Sequence, residues 1–336
     1  MMATAAALKA SAYLGTMLLV GGAVCAAWLA PALVRGEGGA PPSVPGGVTA
    51  ARRRARLAFG ALVLLGAVVL VAASLLEVAN TLREVLGRVD ADLMRSYLAS
   101  TLHGRVVRER WWQAVLVAAS ALALARWPDR PGRPGRVPAL ARAALSAVAA
   151  CASLALMYGF ARLSHAAAMG GSVPLGADFM HLLAAGVWAG PLGYLALLAP
   201  GEDGRSALAA AVKRLSAVGA LAVVVLAVTG AYSALGHMEE PAAFAASAYG
   251  TALWIKLGLF ALVVAAAALN RFRYLPRFLA GGPVAPLRRA LRLEAALLAA
   301  LLVVTGALTT SPVPHAGAGA SGALANLLHL IELLRR

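Results

Sequence analysis

Eight long apolar runs constrain this chain more than any other feature. They fall near residues 8–34, 56–79, 111–126, 138–161, 176–199, 212–235, 250–269 and 290–311. A hydrocarbon core about 30 Å thick takes roughly 20 helical residues to cross, and a segment in lipid must satisfy its own backbone, as a helix does. The runs are apolar nearly all round rather than alternating, which selects helices over barrel strands. With 61% of residues hydrophobic and 13% charged, the expected fold is all-α: a polytopic membrane bundle of about eight transmembrane helices. The run after Trp111 is too short alone, so its helix is expected to reach back through Gly104.

A net charge of +16 would suggest nucleic acid in a soluble chain, but its placement argues otherwise. No basic stretch is interleaved with aromatics, as a single-strand binder requires, so no nucleic-acid partner is expected. Arg and Lys gather after the first, third, fifth and seventh runs, as in Arg52-Arg53-Arg54, Arg130 to Arg136, Lys213-Arg214 and Arg271 to Arg289. The loops after the fourth and sixth runs hold Arg162 and no basic residue. Since basic short loops stay cytoplasmic, both termini are expected outside. Residues 80–110 resist this rule, carrying Arg83, Arg88, Arg95, Arg105, Arg108 and Arg110 against Glu84, Asp90, Asp92 and Glu109. The first run reads as a spanning helix rather than a cleaved secretory signal, having one Lys9 before a long apolar stretch.

The halves resemble each other weakly. Thr101-Leu-His-Gly104 parallels Ser247-Ala-Tyr-Gly250, Ser-His165-Ala-Ala parallels Pro-His315-Ala-Gly, and Arg142 parallels Arg292. This suggests a 4+4 parallel repeat: residues 1–165, residues 166–315, then an amphipathic tail, 316–336, carrying His329.

His103, His165, His181, His237 and His315 all fall at helix ends on the outer face. The densest cluster joins the fourth and fifth runs: His165, Met169, Asp178, Met180 and His181, with His237-Met238 in the next outer loop. Imidazole and thioether together suit copper, methionine favouring Cu(I) over Cu(II), whereas hard cations want oxygen ligands. Each residue also has a plainer reading: interfacial anchoring for the histidines, packing for the methionines, helix capping for Asp178. Cys25 and Cys151 lie inside apolar runs and read as buried thiols. Lys256 and Glu294 are intramembrane charges; Lys256 can snorkel outward, and Glu294 has Arg292 and Arg214 as local partners. Gly190 and Gly230 read as packing residues. No P-loop, nucleophile elbow or HExxH occurs, so no enzyme is expected.

The segment His181-Leu-Leu-Ala-Ala-Gly-Val-Trp188-Ala-Gly190 resembles the fifth helix of the CopD copper-resistance and copper-uptake proteins. So does the order Lys213-Arg-Leu-Ser216, Thr229-Gly230, Tyr249-Gly250, Lys256, Asn270-Arg271, Arg288-Arg289, Arg292, Glu294, Thr305 and Pro312. The likeness is strong over about 175–315 and looser before, where Ser164-His165-Ala166 also fits. It implies a multi-pass bacterial inner-membrane protein that moves copper between periplasm and cytoplasm, beside a periplasmic CopC-like copper-binding partner; no CopC-like β-domain is fused to the chain. Pro191 departs from the family pattern and is expected to kink its helix. A second resemblance, to HemJ-type oxidases, singles out His181 and Lys256 as ligands of a b-type haem. The sequence leaves the oligomeric state open.

Overall fold

The computed structural model describes residues 2–31, 33, 47–126, 136–164, 167, 171–236 and 247–311. These are helical throughout, without a strand among them. The elements are α1 (Met2–Val24), α2 (Gly47–Leu86), α3 (Ala91–Ser100), α4 (Leu102–Arg126), α5 (Arg136–Ala161), α6 (Ser172–Leu198), α7 (Arg205–Gly236), α8 (Ala248–Leu269) and α9 (Val284–Thr310). A π-helical turn, Cys25–Leu29, continues α1, and another, Asn270–Tyr274, continues α8 into a last turn, Leu275–Leu279.

Among the described residues, seven helices are long and apolar enough to cross a membrane: Ala3–Leu29, Arg53–Leu86, Ala139–Ala161, Ser172–Leu198, Glu202–Leu235, Tyr249–Leu279 and Val284–Thr310. The eighth expected span corresponds to α4, which begins at Leu102, earlier than Gly104 as the short run requires. It falls outside the seven because Arg105, Arg108, Glu109 and Arg110 occupy its first turns. The charged stretch 80–110 is largely helical rather than an open loop. Gly87, with φ +70°, ends α2, and its N–H bonds back to the Arg83 carbonyl at 3.0 Å. An Asp90 carboxylate oxygen then accepts from Leu93 N–H at 2.8 Å to start α3.

The first span is the most buried of the seven and α8 the least. α1 packs chiefly on α2, α9 and α6, and more lightly on α4 and α5. Lipid offers no hydrophobic drive between helices, so contact depends on close backbone approach over small residues. Gly21 of α1 and Gly190 of α6 meet backbone to backbone, leaving no room for a Cβ on either. A Cβ on Gly306 of α9 would sit 2.6 Å from the Ala6 carbonyl oxygen. Gly190 is therefore a packing residue, as its setting in the sequence suggested.

Contacts define two ends of the bundle. The starts of α1, α4, α6 and α8 gather with the ends of α2, α5, α7 and α9, an end that holds His103 and His181. The opposite end is basic and tied by arginines. Arg214 donates to the Trp28 carbonyl at 2.7 Å, and Arg205 to the carbonyls of Phe278 and Gly282 at 2.5 and 2.6 Å. Arg271 donates to the Ser216 carbonyl and hydroxyl at 2.8 and 2.9 Å.

Candidate functional site

At the histidine end, α6 carries Asp178, Met180 and His181 in its second and third turns. Asp178 and His181, three residues apart, share a helix face, while Met180 is 43% exposed. Asp178 does not cap its helix: α6 begins at Ser172, the preceding Gly171 makes no side-chain cap, and Asp178 lies nearly two turns inside. The carboxylate instead belongs to an electrostatic group with Lys256 of α8 and Tyr13 of α1. Lys256 is half-buried and also within electrostatic reach of His181.

The hydrogen bonds of Thr229 fix the imidazole. Its hydroxyl donates to the Val225 carbonyl one turn back, at 2.6 Å, which uses its single proton. The same oxygen lies 2.9 Å from His181 Nδ1, so it accepts from Nδ1–H. In the neutral ring this leaves Nε2 unprotonated, the form in which an imidazole binds a metal, and a bond through Nδ1 is the usual device for orienting such a ligand. Gly230 borders the ring, a Cβ there coming 3.6 Å from His181 Cε1.

The remaining residues expected at this site, His165, Met169, His237, Met238 and His315, lie outside the described residues, as does the tail with His329. Among the described residues no three His, Cys, Asp or Glu side chains are grouped so as to hold a metal ion. His103 has its Nδ1 2.9 Å from the Tyr97 hydroxyl in the α3–α4 corner. Burial, then the Arg110 and Lys9 charges, lower its pKa from 6.5 to about 4. Cys25 is buried and Cys151 is exposed on α5; both are free thiols.

Two groups went unread in the sequence. On α1, α2 and α4, Lys9 Nζ lies 3.8 Å from Glu77 Oε1, and Arg110 NH1 lies 3.7 Å from Glu77 Oε2. The Arg110 side chain has no exposure, and its guanidinium rests 3.8 Å above the centre of the Phe160 ring. Phe160 in turn packs on Tyr13 with ring centroids 5.4 Å apart, which links this cluster toward the Asp178 group. The available signal was Glu77, the one acid in its apolar run.

Near the basic end, Glu294 of α9 is 4% exposed. Neither arginine expected to pair with it does so: Arg292 Nε donates to the Ala196 carbonyl at 3.2 Å, and Arg214 holds Trp28. Those carbonyls sit at helix ends whose last C=O groups lack intrahelical partners. The Glu294 carboxyl instead accepts from Asn270 Nδ2 and from the Trp188 side chain.

Residues 209–308, running from α7 through most of α9, match the family model described as Copper resistance protein D, CopD. No curated protein and no solved structure matches the chain. The match covers Thr229, Lys256, Asn270 and Glu294, and it bears out the resemblance read from their order.

Proposed function

From a multi-pass membrane chain whose residues 209–308 carry the CopD pattern, we propose a copper-resistance protein that moves copper ions across a bacterial inner membrane. The cargo is taken at the histidine end, with both termini outside. The observation that carries this reading is the Thr229–His181 bond. Thr229, inside the matched segment, hydrogen-bonds Nδ1 of His181, which lies ahead of that segment, and so leaves Nε2 free to take a metal ion.

Asp178 beside Lys256 supplies local charge compensation, so that a cation can arrive and leave without stranding a carboxylate. His165, Met169, Met180, His237, Met238 and His315 are the further donors proposed for Cu(I), and a periplasmic CopC-like protein is the proposed deliverer. Copper accumulation in cells or vesicles, compared between wild type and His181→Ala, tests the assignment. Uptake falling to background supports it; undiminished uptake in the variant refutes it. A Soret band in the purified protein that vanishes with the same substitution would replace copper by a haem held through His181 and Lys256.

A further inference from the structure

The four helices α6, α7, α8 and α9 line a half-open cavity of about 270 Å³ near the basic end. Its wall is mostly apolar, broken by Glu294, Asn270, Ser216 and Arg271. Asn270 stands at the first position of the π-helical turn Asn270–Tyr274. Such local widenings of an α-helix recur at functional sites, and here the turn carries a polar side chain into the same cavity as Glu294.

Charge and hydrogen-bond accounting at this spot are incomplete. The charged groups toward this end of the surrounding elements are Arg288, Arg289 and Arg292 on α9, Arg205, Lys213 and Arg214 on α7, and Arg271, Arg273 and Arg277 beyond α8; α6 contributes none at this depth. None forms an ion pair with Glu294. Arg292, Arg214 and Arg205 are held by main-chain carbonyls, Arg271 is held by Ser216, and Lys213, Arg273, Arg277 and Arg289 are exposed; Arg288 is half-buried, with its Nε lacking a hydrogen-bond partner, and makes no ion pair with Glu294 among the described residues. Among the described residues, this deeply placed carboxyl thus accepts hydrogen bonds from neutral donors only, Asn270 Nδ2 and Trp188. A buried carboxylate needs a counter-charge or a proton.

The amide supplies the second clue. Asn270 is 6% exposed and its Oδ1 has no hydrogen-bond partner, although Nδ2 of the same planar group already donates to Glu294. An amide and a carboxylic acid satisfy one another as a pair, with N–H donating to C=O and O–H donating to the amide oxygen. A carboxylate can use only half of that arrangement.

We infer that Glu294 and Asn270 form a proton-loading site, filled and emptied through the cavity, whose proton crosses the membrane in exchange with the cargo. Loading transfers a proton from hydronium to one Glu294 carboxylate oxygen and releases water; the new O–H donates to Asn270 Oδ1. Unloading reverses both steps, with no change in oxidation state. The oxygen donors of this pair suit a proton rather than soft Cu(I), which separates the two sites chemically: imidazole on α6 for the metal, carboxyl on α9 for the proton. The exchange rests on the transport reading above, whereas the proton site itself does not.

The test uses the full chain, purified and reconstituted into lipid vesicles with an entrapped pH dye, as wild type, Glu294→Gln and Asn270→Val. Infrared difference spectra across a pH titration are expected to show a protonated-carboxyl C=O band in wild type that Glu294→Gln lacks and Asn270→Val shifts. Copper-driven proton flux is expected to fall at least tenfold in Glu294→Gln. A carboxyl band unchanged by Glu294→Gln, or no titrating band in wild type, overturns the proton site. Copper movement in wild type with equal proton flux in Glu294→Gln overturns the exchange. If wild type moves no copper, the transport reading and the exchange both fail, and the infrared titration still decides the proton site.

Discussion

Thr229→Val is the most direct perturbation of the proposed metal ligand, because it replaces a hydroxyl by a methyl with little change in shape. Two effects follow from the described bonds. The Nδ1–H of His181 loses its acceptor at 2.9 Å, and a partly buried donor left unsatisfied costs about 1–3 kcal/mol. The ring escapes that cost by moving its proton to Nε2, which then no longer offers a lone pair. Loss of a partner that orients a ligating histidine weakens metal affinity about 10–100-fold, equivalent to roughly 1.4–2.7 kcal/mol. Thr229→Ser keeps the oxygen and is expected to stay near wild type. Competition for Cu(I) against a chromogenic chelator in detergent measures the affinities, and a thermal melt of each variant separates binding from folding. Thr229→Val binding Cu(I) within twofold of wild type, or Thr229→Ser failing as badly as Thr229→Val, would refute the tautomer argument.

Glu77→Gln leaves Lys9 and Arg110 in the bundle without their shared counter-charge; breaking a buried pair in this way is expected to cost about 3–5 kcal/mol, read as a lower melting temperature, and a melt matching wild type would show the cluster to be energetically idle. Gly190→Ala forces α1 and α6 apart and is expected to destabilise by about 1–3 kcal/mol, while Gly230→Ala, whose Cβ meets only ordinary contact, is expected to melt close to wild type; equal melts for the two would contradict the packing account. His103, on a helix outside the seven spans, has its pKa lowered from 6.5 to about 4, so between those values the unfolded chain binds more protons than the folded one. Stability is therefore expected to fall as pH drops from 6.5 to 4, and His103→Gln is expected to flatten that slope; an identical slope in the variant would remove His103 from the pH response.

Much of the fold was legible because the bilayer enforces it. Residues that cannot leave a backbone unsatisfied in lipid must be helical, so the apolar runs located the long helices, including the early start of α4. The exception is the stretch 80–110, whose charges read as loop although Asp90 and Gly87 are ordinary signals for starting and ending a helix. His181 and Thr229 were also legible individually, as positions in a family-like order. Their pairing was not, because a 48-residue separation carries no local signature. The partners proposed for Glu294 failed for a related reason: proximity in sequence favoured Arg292, but the main-chain carbonyl of Ala196 holds that guanidinium more directly. Lys9, Glu77 and Arg110 form a group only after three helices have packed, and no spacing along the chain announces it.

The central place of α1 bears on the order in which the protein is made. Its helix is made before the other described helices, yet two of its principal neighbours, α6 and α9, are synthesised much later, and Gly306 of α9 reaches its seat against Ala6 and Ala10 only then. Until then a helix adapted to backbone contact faces lipid. Packing of α1 is thus incomplete until α9 is made, and without α9 the small-residue face of α1 that receives Gly306 stays uncovered. The stretch resembling CopD, expressed without α1, would lack the wall on which α6 and α9 close.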